Sequence, residues 1–212
     1  ASVQTRIGRD KPPADLIVID ECHHATADSY QSILDEYPEA RVVGLTATPF
    51  RLDGHGLGDL FGELVVAAYP DELCESSVLH RPKVWASKSP DLRGVKVIAG
   101  DYSLGALAER TNTQELNADI VATWQKRAAG RRTVAFAVDV AHSMAITAAF
   151  RQAGVAAEHI DGSTPRDERD AILARLASGE TLIVSNCRVL TEGWDLPALE
   201  CAIIARPTAS LN

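Results

Sequence analysis

The sequence predicts an α/β fold of parallel strands flanked by helices. Short runs of Ile, Val and Leu recur and end in polar residues: Leu16-Ile17-Val18-Ile19 before Asp20, Arg41-Val42-Val43-Gly44-Leu45 before Thr46, and Thr181 to Ser185. Runs of this length, rich in β-branched residues, read as buried strands. Stretches with helical periodicity lie between them, and a strand–helix–strand unit favours parallel pairing. In open parallel sheets, ligands bind beyond the carboxyl ends of the strands. The residues that close each run are therefore the candidates for chemistry.

Ala1 to Asp10 is polar, and Lys11-Pro12-Pro13 leads into the first strand, read as fully buried. Asp20 and Glu21 close that strand. Alternation keeps neighbouring side chains from sharing a direction while the chain stays extended. A turn starting here would let one carboxylate hold a metal hydrate while the other faces a water. A phosphate-bound Mg²⁺ needs that, because it keeps several waters and takes one or two carboxylates. Taken alone, an Asp-Glu pair reads more simply as an acidic turn meeting solvent.

Thr26 or Asp28 can cap a helix in which Tyr30, Ile33, Leu34 and Tyr37 share a face, and Pro38 stops it. The strand Arg41–Leu45 then delivers Thr46 and Thr48 to the same sheet edge as the carboxylates. The glycine-rich stretch Arg51 to Gly58 lacks the Lys-Ser/Thr of a phosphate loop and reads as a flexible loop. Phe61 to Ala68 reads as a further strand and Leu73 to Leu79 as a helical turn. Pro82, Pro90, Gly94 and Gly100 place a boundary near residue 88, dividing 1–88 from 89–212.

The second half opens with helices over Asp101 to Arg110 and Thr113 to Ala129. Leu116, Ile120 and Trp124 form the apolar stripe of the latter, and Gly130 is its C-cap. Next come a strand from Thr133 to Val138, a helix from Val140 to Gln152 closed by Gly154, and a strand from Ala156 to Ile160. Thr164 supplies a capping hydroxyl and Pro165 the first position of a helix, with Asp167 facing the positive end of its dipole. Ile172, Leu173 and Leu176 point inward and Gly179 ends the helix. Strands at Thr181 to Ser185 and Ala202 to Ile204 complete the half.

At 212 residues the chain suits one large domain or two small ones. It has no apolar run near the ~20 residues that cross a bilayer, and Ala1 onward is no signal peptide. Cys22, Cys74, Cys187 and Cys201 show no paired spacing, which predicts reduced thiols in a cytoplasmic protein. A net charge of −8 is awkward for a nucleic-acid partner. A backbone is bound by a local patch rather than by net charge, however. Residues 91–212 hold 13 basic side chains, 11 of them Arg, the residue suited to bidentate phosphate contact. Composition alone favours a solvated face there.

The residues at the strand ends resemble the motifs of one family. Asp20-Glu21-Cys22-His23 resembles the Walker B box (motif II) of superfamily 2 helicases in its DExH form. Gly44-Leu45-Thr46-Ala47-Thr48-Pro49-Phe50-Arg51 resembles motif III, and Val189-Leu190-Thr191-Glu192-Gly193-Trp194-Asp195-Leu196-Pro197 resembles motif V. The three occur in the family's order over most of the chain. Their variants are most similar to the DNA-directed branch of XPB-type repair helicases and type I and III restriction translocases. Val3-Gln4-Thr5 resembles a remnant of motif Ib, and Thr133 to Val138 resembles motif IV. Asp161 to Arg169 resembles the Gly-x-x-Pro-Gln-x-x-Arg segment that holds a strand's phosphates, with Arg166 in place of the usual Gln. That segment reads equally as a capped surface helix.

The resemblance implies two stacked RecA-like lobes, the first incomplete, in an ATP-dependent DNA helicase or translocase using ATP and Mg²⁺. It implies that Asp20 orients the Mg²⁺ hydrate and that Glu21, beside the metal, positions and deprotonates the attacking water. His23 would link the nucleotide site to motif III, where Thr46 and Thr48 offer hydroxyls that can switch partners. Gly193 and Asp195 would meet the nucleotide ribose and the other lobe. Gln4, Thr5, Gly162, Arg166 and Arg169 would contact nucleic acid, expected to be DNA; no membrane is implied and oligomeric state stays open.

Two motifs have no match: the Gly-x-x-x-x-Gly-Lys-Ser/Thr cradle and the Gln-x-x-Gly-Arg-x-x-Arg of motif VI. The expectation is a fragment of a longer helicase that alone binds ATP poorly and hydrolyses it negligibly. Rival readings are a double-strand translocase that never separates strands and a non-catalytic nucleic-acid-binding module. Zinc at Cys22-His23-His24 is not predicted, because consecutive ligands rarely converge on one tetrahedral ion. His55, His80, His142 and His159 read as surface or locally bonded residues.

Overall fold

A computed structural model describes residues 12–25, 28–49, 57–58, 60–98, 100–191 and 194–209. Gln4, Thr5 and Gly193, three of the candidate site residues, lie outside the described residues. So does most of the glycine-rich loop after Pro49. The chain divides into two compact units, one running to Lys83 and the other spanning Val84–Ala209. The division falls before the boundary expected near residue 88, because Trp85 and Lys88 pack on the second unit. The Arg127 guanidinium stacks 3.9 Å from the Trp85 ring centroid. The Lys88 backbone N–H donates to Asp119 at 2.8 Å and its ammonium to Glu115 at 2.7 Å.

In the first unit, β1 (Leu16–Asp20) pairs in parallel with β2 (Arg41–Leu45). A 3₁₀ turn (Cys22–His24) and helix α1 (Asp28–Leu34) form the crossover. Ile19, Cys22 and Ala25 are the core here, with Ile17, Tyr30, Leu34, Val42 and Phe61 packed around them. The helix stops one turn short of Tyr37, whose hydroxyl donates instead to the Pro12 carbonyl at 3.0 Å. The expectation that both strands are fully buried is corrected. Leu16, Val18, Val43 and Leu45 are 55%, 57%, 44% and 52% exposed. Alternation sends them to the sheet face that no described element covers.

Gly44 has a packing reason. A Cβ there would lie 2.6 Å from Cys22 Sγ and 2.6 Å from Phe61 Cζ. Phe61 packs onto β2 through this gap, and Phe61 to Ala68 forms no strand. Leu64, Val65 and Val66 stand exposed with no strand beside them among the described residues. The helical turn expected at Leu73 to Leu79 is α2 (Pro70–Glu75). It starts earlier because Pro70 occupies the first turn and the Glu72 carboxylate accepts the Tyr69 N–H at 2.8 Å.

In the second unit a short antiparallel hairpin, β3 (Val97–Ile98) with β4 (Asp101–Tyr102), precedes α3 (Leu104–Thr111). Asp101 therefore opens a strand and does not open the helix. α4 (Gln114–Arg127) is capped by the Thr113 side chain, which accepts the Leu116 N–H. Four parallel strands follow: β5 (Thr133–Phe136), β6 (Ala157–Ile160), β7 (Ile183–Asn186) and β8 (Cys201–Ile204), in the order β6-β7-β5-β8. The crossovers include α5 (Val140–Gln152) and α6 (Arg166–Ser178).

The alternation of side chains assigns two faces. Ala135, Ile183 and Ala157 meet Val121, Trp124, Ile146 and Phe150 of α4 and α5. Val134, Val184 and Ile160 meet Ile172 and Leu176 of α6, with Leu190, Trp194 and Leu196 from the segment after β7. Trp124 and Phe150 pack edge to face at 5.5 Å, and the Trp124 indole N–H donates to Thr133 Oγ1 at 2.8 Å. α6 begins one residue later than expected, with Pro165 at the cap. Thr164 is drawn away, its hydroxyl accepting the Asp161 N–H at 3.0 Å. No described helix is long and apolar enough to cross a membrane.

Candidate functional site

The chemistry of the first unit gathers where β1 and β2 end. Glu21 adopts φ 50°, ψ 48°, a left-handed conformation that turns the chain at the strand tip. An L-residue reaches this region at some cost in strain. The turn separates the two carboxylates. Asp20 stays exposed at the strand end, its Oδ1 accepting the Glu21 N–H at 3.0 Å. Glu21 swings toward His23, with Oε2 3.4 Å from Nδ1.

His23 Nδ1 also lies 3.1 Å from Thr46 Oγ1 at the end of β2. Thr46 Oγ1 accepts the Thr48 N–H at 3.0 Å and lies 3.1 Å from the Thr48 carbonyl, which can only accept. The Thr46 hydroxyl can give its proton to that carbonyl, and the nearby Glu21 carboxylate favours a proton on His23 Nδ1. His23, Thr46 and Thr48 thus form one hydrogen-bonded chain at the end of β2, with the Glu21 carboxylate in ion-pair distance of His23. His23 also packs against the His24 ring at 4.1 Å. No described set of three or more His, Cys, Asp or Glu is placed to hold a metal together. Burial pushes the Cys22 thiol up, which makes it a packing group at neutral pH.

In the second unit the residues after β6 form a tight turn. Asp161 Oδ1 accepts the Ser163 N–H at 2.7 Å and its hydroxyl at 2.6 Å, while the Thr164 N–H returns to the Asp161 carbonyl at 3.1 Å. Gly162 and Arg166 are exposed and Arg169 is half-buried. The Arg166 guanidinium lies 3.9 Å from Asp170, one turn on, a weak exposed pair. Arg169 donates to the Thr164 carbonyl at 3.4 Å, and its buried Nε has no partner among the described residues. Asp195 is exposed between Trp194 and Leu196, whose side chains anchor in the core beneath.

The sequence reading missed Asn186. It is fully buried at the end of β7. Its amide donates to the Ala135 carbonyl at 3.1 Å, and its Oδ1 accepts from the Val189 and Leu190 N–H groups at 3.4 and 3.3 Å. Asn186 thereby fixes the backbone at Val189 and Leu190, just after β7. A polar residue following Val184 and Ser185 was the available signal.

Polar residues gathered at the carboxyl ends of parallel strands define the class: an α/β protein whose candidate ligand-binding residues lie beyond the strand ends. Two family models match: "Type III restriction enzyme, res subunit" over residues 3–51 and "Helicase conserved C-terminal domain" over residues 113–212. The Saccharomyces cerevisiae protein named "Putative ATP-dependent helicase IRC3" is 34% identical, over 99% of this chain and 32% of its own length. The Haloarcula marismortui protein named "Putative DNA 3'-5' helicase Rad25" is 29% identical, over 90% of this chain and 30% of its own length. A solved structure of S. cerevisiae Dbp5 bound to RNA and ADP BeF3 covers 90% of this chain and 44% of its own at 11% identity, with a TM-score of 0.47.

These matches support a superfamily 2 helicase, in the branch similar to type III restriction and XPB-like proteins. The chain spans about a third of the length of these two relatives.

Proposed function

We propose that the protein carrying these residues is an ATP-dependent DNA helicase or translocase with two RecA-like lobes, the strand ends of the first unit forming part of its hydrolytic site. The observation that carries the reading is the row of contacts from Glu21 to His23, an ion-pair distance of 3.4 Å, and from His23 to Thr46, a hydrogen bond of 3.1 Å. It joins the residue suited to act on a water with the segment after β2, so a change at one strand end is felt at the other. Phosphoryl transfer asks for positioning and charge neutralisation more than for covalent chemistry.

Asp20 fits a Mg²⁺ hydrate: it is a single exposed carboxylate at a strand end, and Mg²⁺ takes one or two carboxylates and keeps its waters. The ion would neutralise charge developing on the transferred phosphate. Glu21, turned away from Asp20, fits the water-activating role better than that of a second metal ligand. The cradle for the triphosphate itself has no match in the 212 residues, so these residues would hold the metal end of ATP alone.

Gly162, Arg166 and Arg169 fit a phosphate contact: a glycine permits close approach, a helix start offers N–H groups, and two arginines supply charge. Gln4 and Thr5 would add to it, and Gly193 and Asp195 would meet the nucleotide. DNA is favoured over RNA by the words "DNA" and "restriction enzyme" in the names of the Haloarcula relative and the first family model. The free cysteines fit a reducing compartment such as the cytoplasm.

In the protein that carries this segment, Glu21→Gln should lower nucleic-acid-stimulated ATP turnover by about 10²–10⁴-fold while ATP still binds. Near-normal kcat would overturn the reading. A strand-displacement assay then separates a helicase from a translocase that leaves the duplex closed.

A further inference from the structure

His159 is bonded on both sides of its ring. It sits on β6 directly opposite Ser185 of β7. Ser143 of α5 lies over both, its Oγ 2.7 Å from His159 Nδ1 and 2.8 Å from Ser185 Oγ. Both serines are fully buried. On the other side, His159 Nε2 lies 3.0 Å from Asp161 Oδ2.

Ser143, His159 and Asp161 have the residue types of a nucleophilic triad, but they cannot act as one. Ser143 has no exposed surface, and its oxygen is engaged from two directions. The arrangement is instead a directional tether. The Ser163 hydroxyl and His159 hold the Asp161 carboxyl well below the usual carboxylate range. An ionised Asp161 only accepts, so Nε2 donates to it. Nδ1 then accepts from the Ser143 hydroxyl, whose oxygen accepts from Ser185. Every proton in the row has a partner.

The two oxygens of Asp161 thus divide their work. Oδ1 closes the turn through Ser163, and Oδ2 ties that turn to the sheet through His159. The same turn carries the Thr164 carbonyl that Arg169 meets. We infer that His159 is a positioning residue: it anchors the Asp161–Thr164 turn to the buried Ser143–Ser185 pair and so sets where Arg169 meets a nucleic-acid phosphate. This rests on the proposal that the start of α6 contacts nucleic acid. Without the tether, the carboxylate can swing toward the anion that Arg169 would hold.

The test uses the 212-residue chain and a fluorescent single-stranded oligodeoxynucleotide at low salt, read by anisotropy. Arg169→Ala should weaken binding about tenfold, as loss of a charge-assisted contact does. His159→Leu should weaken it about three- to tenfold, the effect of one hydrogen bond. His159→Gln, whose amide can still donate to Asp161, should recover most of that loss. A merely structural role would make binding follow the melting temperature of each variant and give Gln no advantage over Leu. No binding by wild type, or wild-type binding by Arg169→Ala, overturns the nucleic-acid contact itself. Weakened binding by Arg169→Ala with wild-type binding by His159→Leu overturns only the positioning role. Nitrogen-15 spectra of wild type give a readout independent of binding: the Nε2–H tautomer of His159 is expected, and an Nδ1–H tautomer would overturn the tether.

Discussion

The two units use the same local pattern and cover it differently. In the second, the four-stranded sheet is packed on both faces, by α4 and α5 on one side and by α6 with the segment after β7 on the other. In the first, β1 and β2 bury Ile19 and its neighbours on one face and leave Leu16, Val18, Val43 and Leu45 open on the other. A run of Ile, Val and Leu shows that a strand wants two apolar neighbours. Whether it has them depends on which other elements reach it. Hydrophobic stabilisation follows the area removed from water, so the second unit should hold most of the stability of this chain.

The sharpest way to break that contrast is to truncate one side chain in each unit. Phe150 is fully buried against Trp124, and Phe150→Ala should cost about 3–5 kcal/mol. Val18 is 57% exposed, and Val18→Ala should cost less than about 0.5 kcal/mol. Denaturant titration with a probe in each unit measures both. Similar losses would mean that the open face of β1 is covered in solution.

Gly44→Ala tests the packed face of the first unit. The added methyl collides with Cys22 and Phe61, and overpacking of this kind costs about 1–3 kcal/mol. The first unit's transition should move while the second's stays. A shift in both would show that the units unfold together.

A smaller effect marks the second unit's edge strand. Glu158 of β6 accepts two hydrogen bonds from Arg175 of α6, at 2.9 and 2.6 Å, and one from the Thr181 hydroxyl. Arg175, chiefly, holds the Glu158 carboxyl below its ordinary value of 4.5, against the opposing pull of burial. A folded-state value below the unfolded one means that this stabilisation is complete above about pH 4.5 and is lost as pH falls through the depressed value. Arg175 is 35% exposed, so solvent screening keeps the contribution near 1 kcal/mol. Glu158→Gln should remove about that much at pH 7 and flatten the acid limb of a stability–pH curve. An unchanged limb would assign acid sensitivity to other carboxylates, with Asp101 and Asp161 next to be substituted.

Much of the fold was legible because strand and helix periods are written in consecutive residues. β1, β2 and α5 lie within the bounds their patterns predict. Misreadings arose where a distant contact outweighed a local preference. Thr164 has the chemistry of a helix cap, yet its hydroxyl serves the Asp161 turn and leaves the cap to Pro165. Phe61 to Ala68 has strand composition, but no described strand lies beside it. Asp101 looks like a helix opener and instead binds Arg206, Thr208 and the Ala209 N–H, more than a hundred residues on.

The sequence by itself determined most of the elements, the parallel pairing of β1 with β2 and of β5 to β8, and the polar residues at the strand ends, because strand and helix patterns are local. Only the tertiary structure decided what those residues meet. Asp20 and Glu21 are adjacent in sequence, and a left-handed backbone at Glu21 sends their carboxylates to different partners. Ser143, His159 and Ser185 are far apart in sequence, and the register of β6 with β7 beneath α5 makes them one row. Hydrogen bonds are short-ranged and directional, so their partners are settled only when packing brings distant segments within about 3 Å.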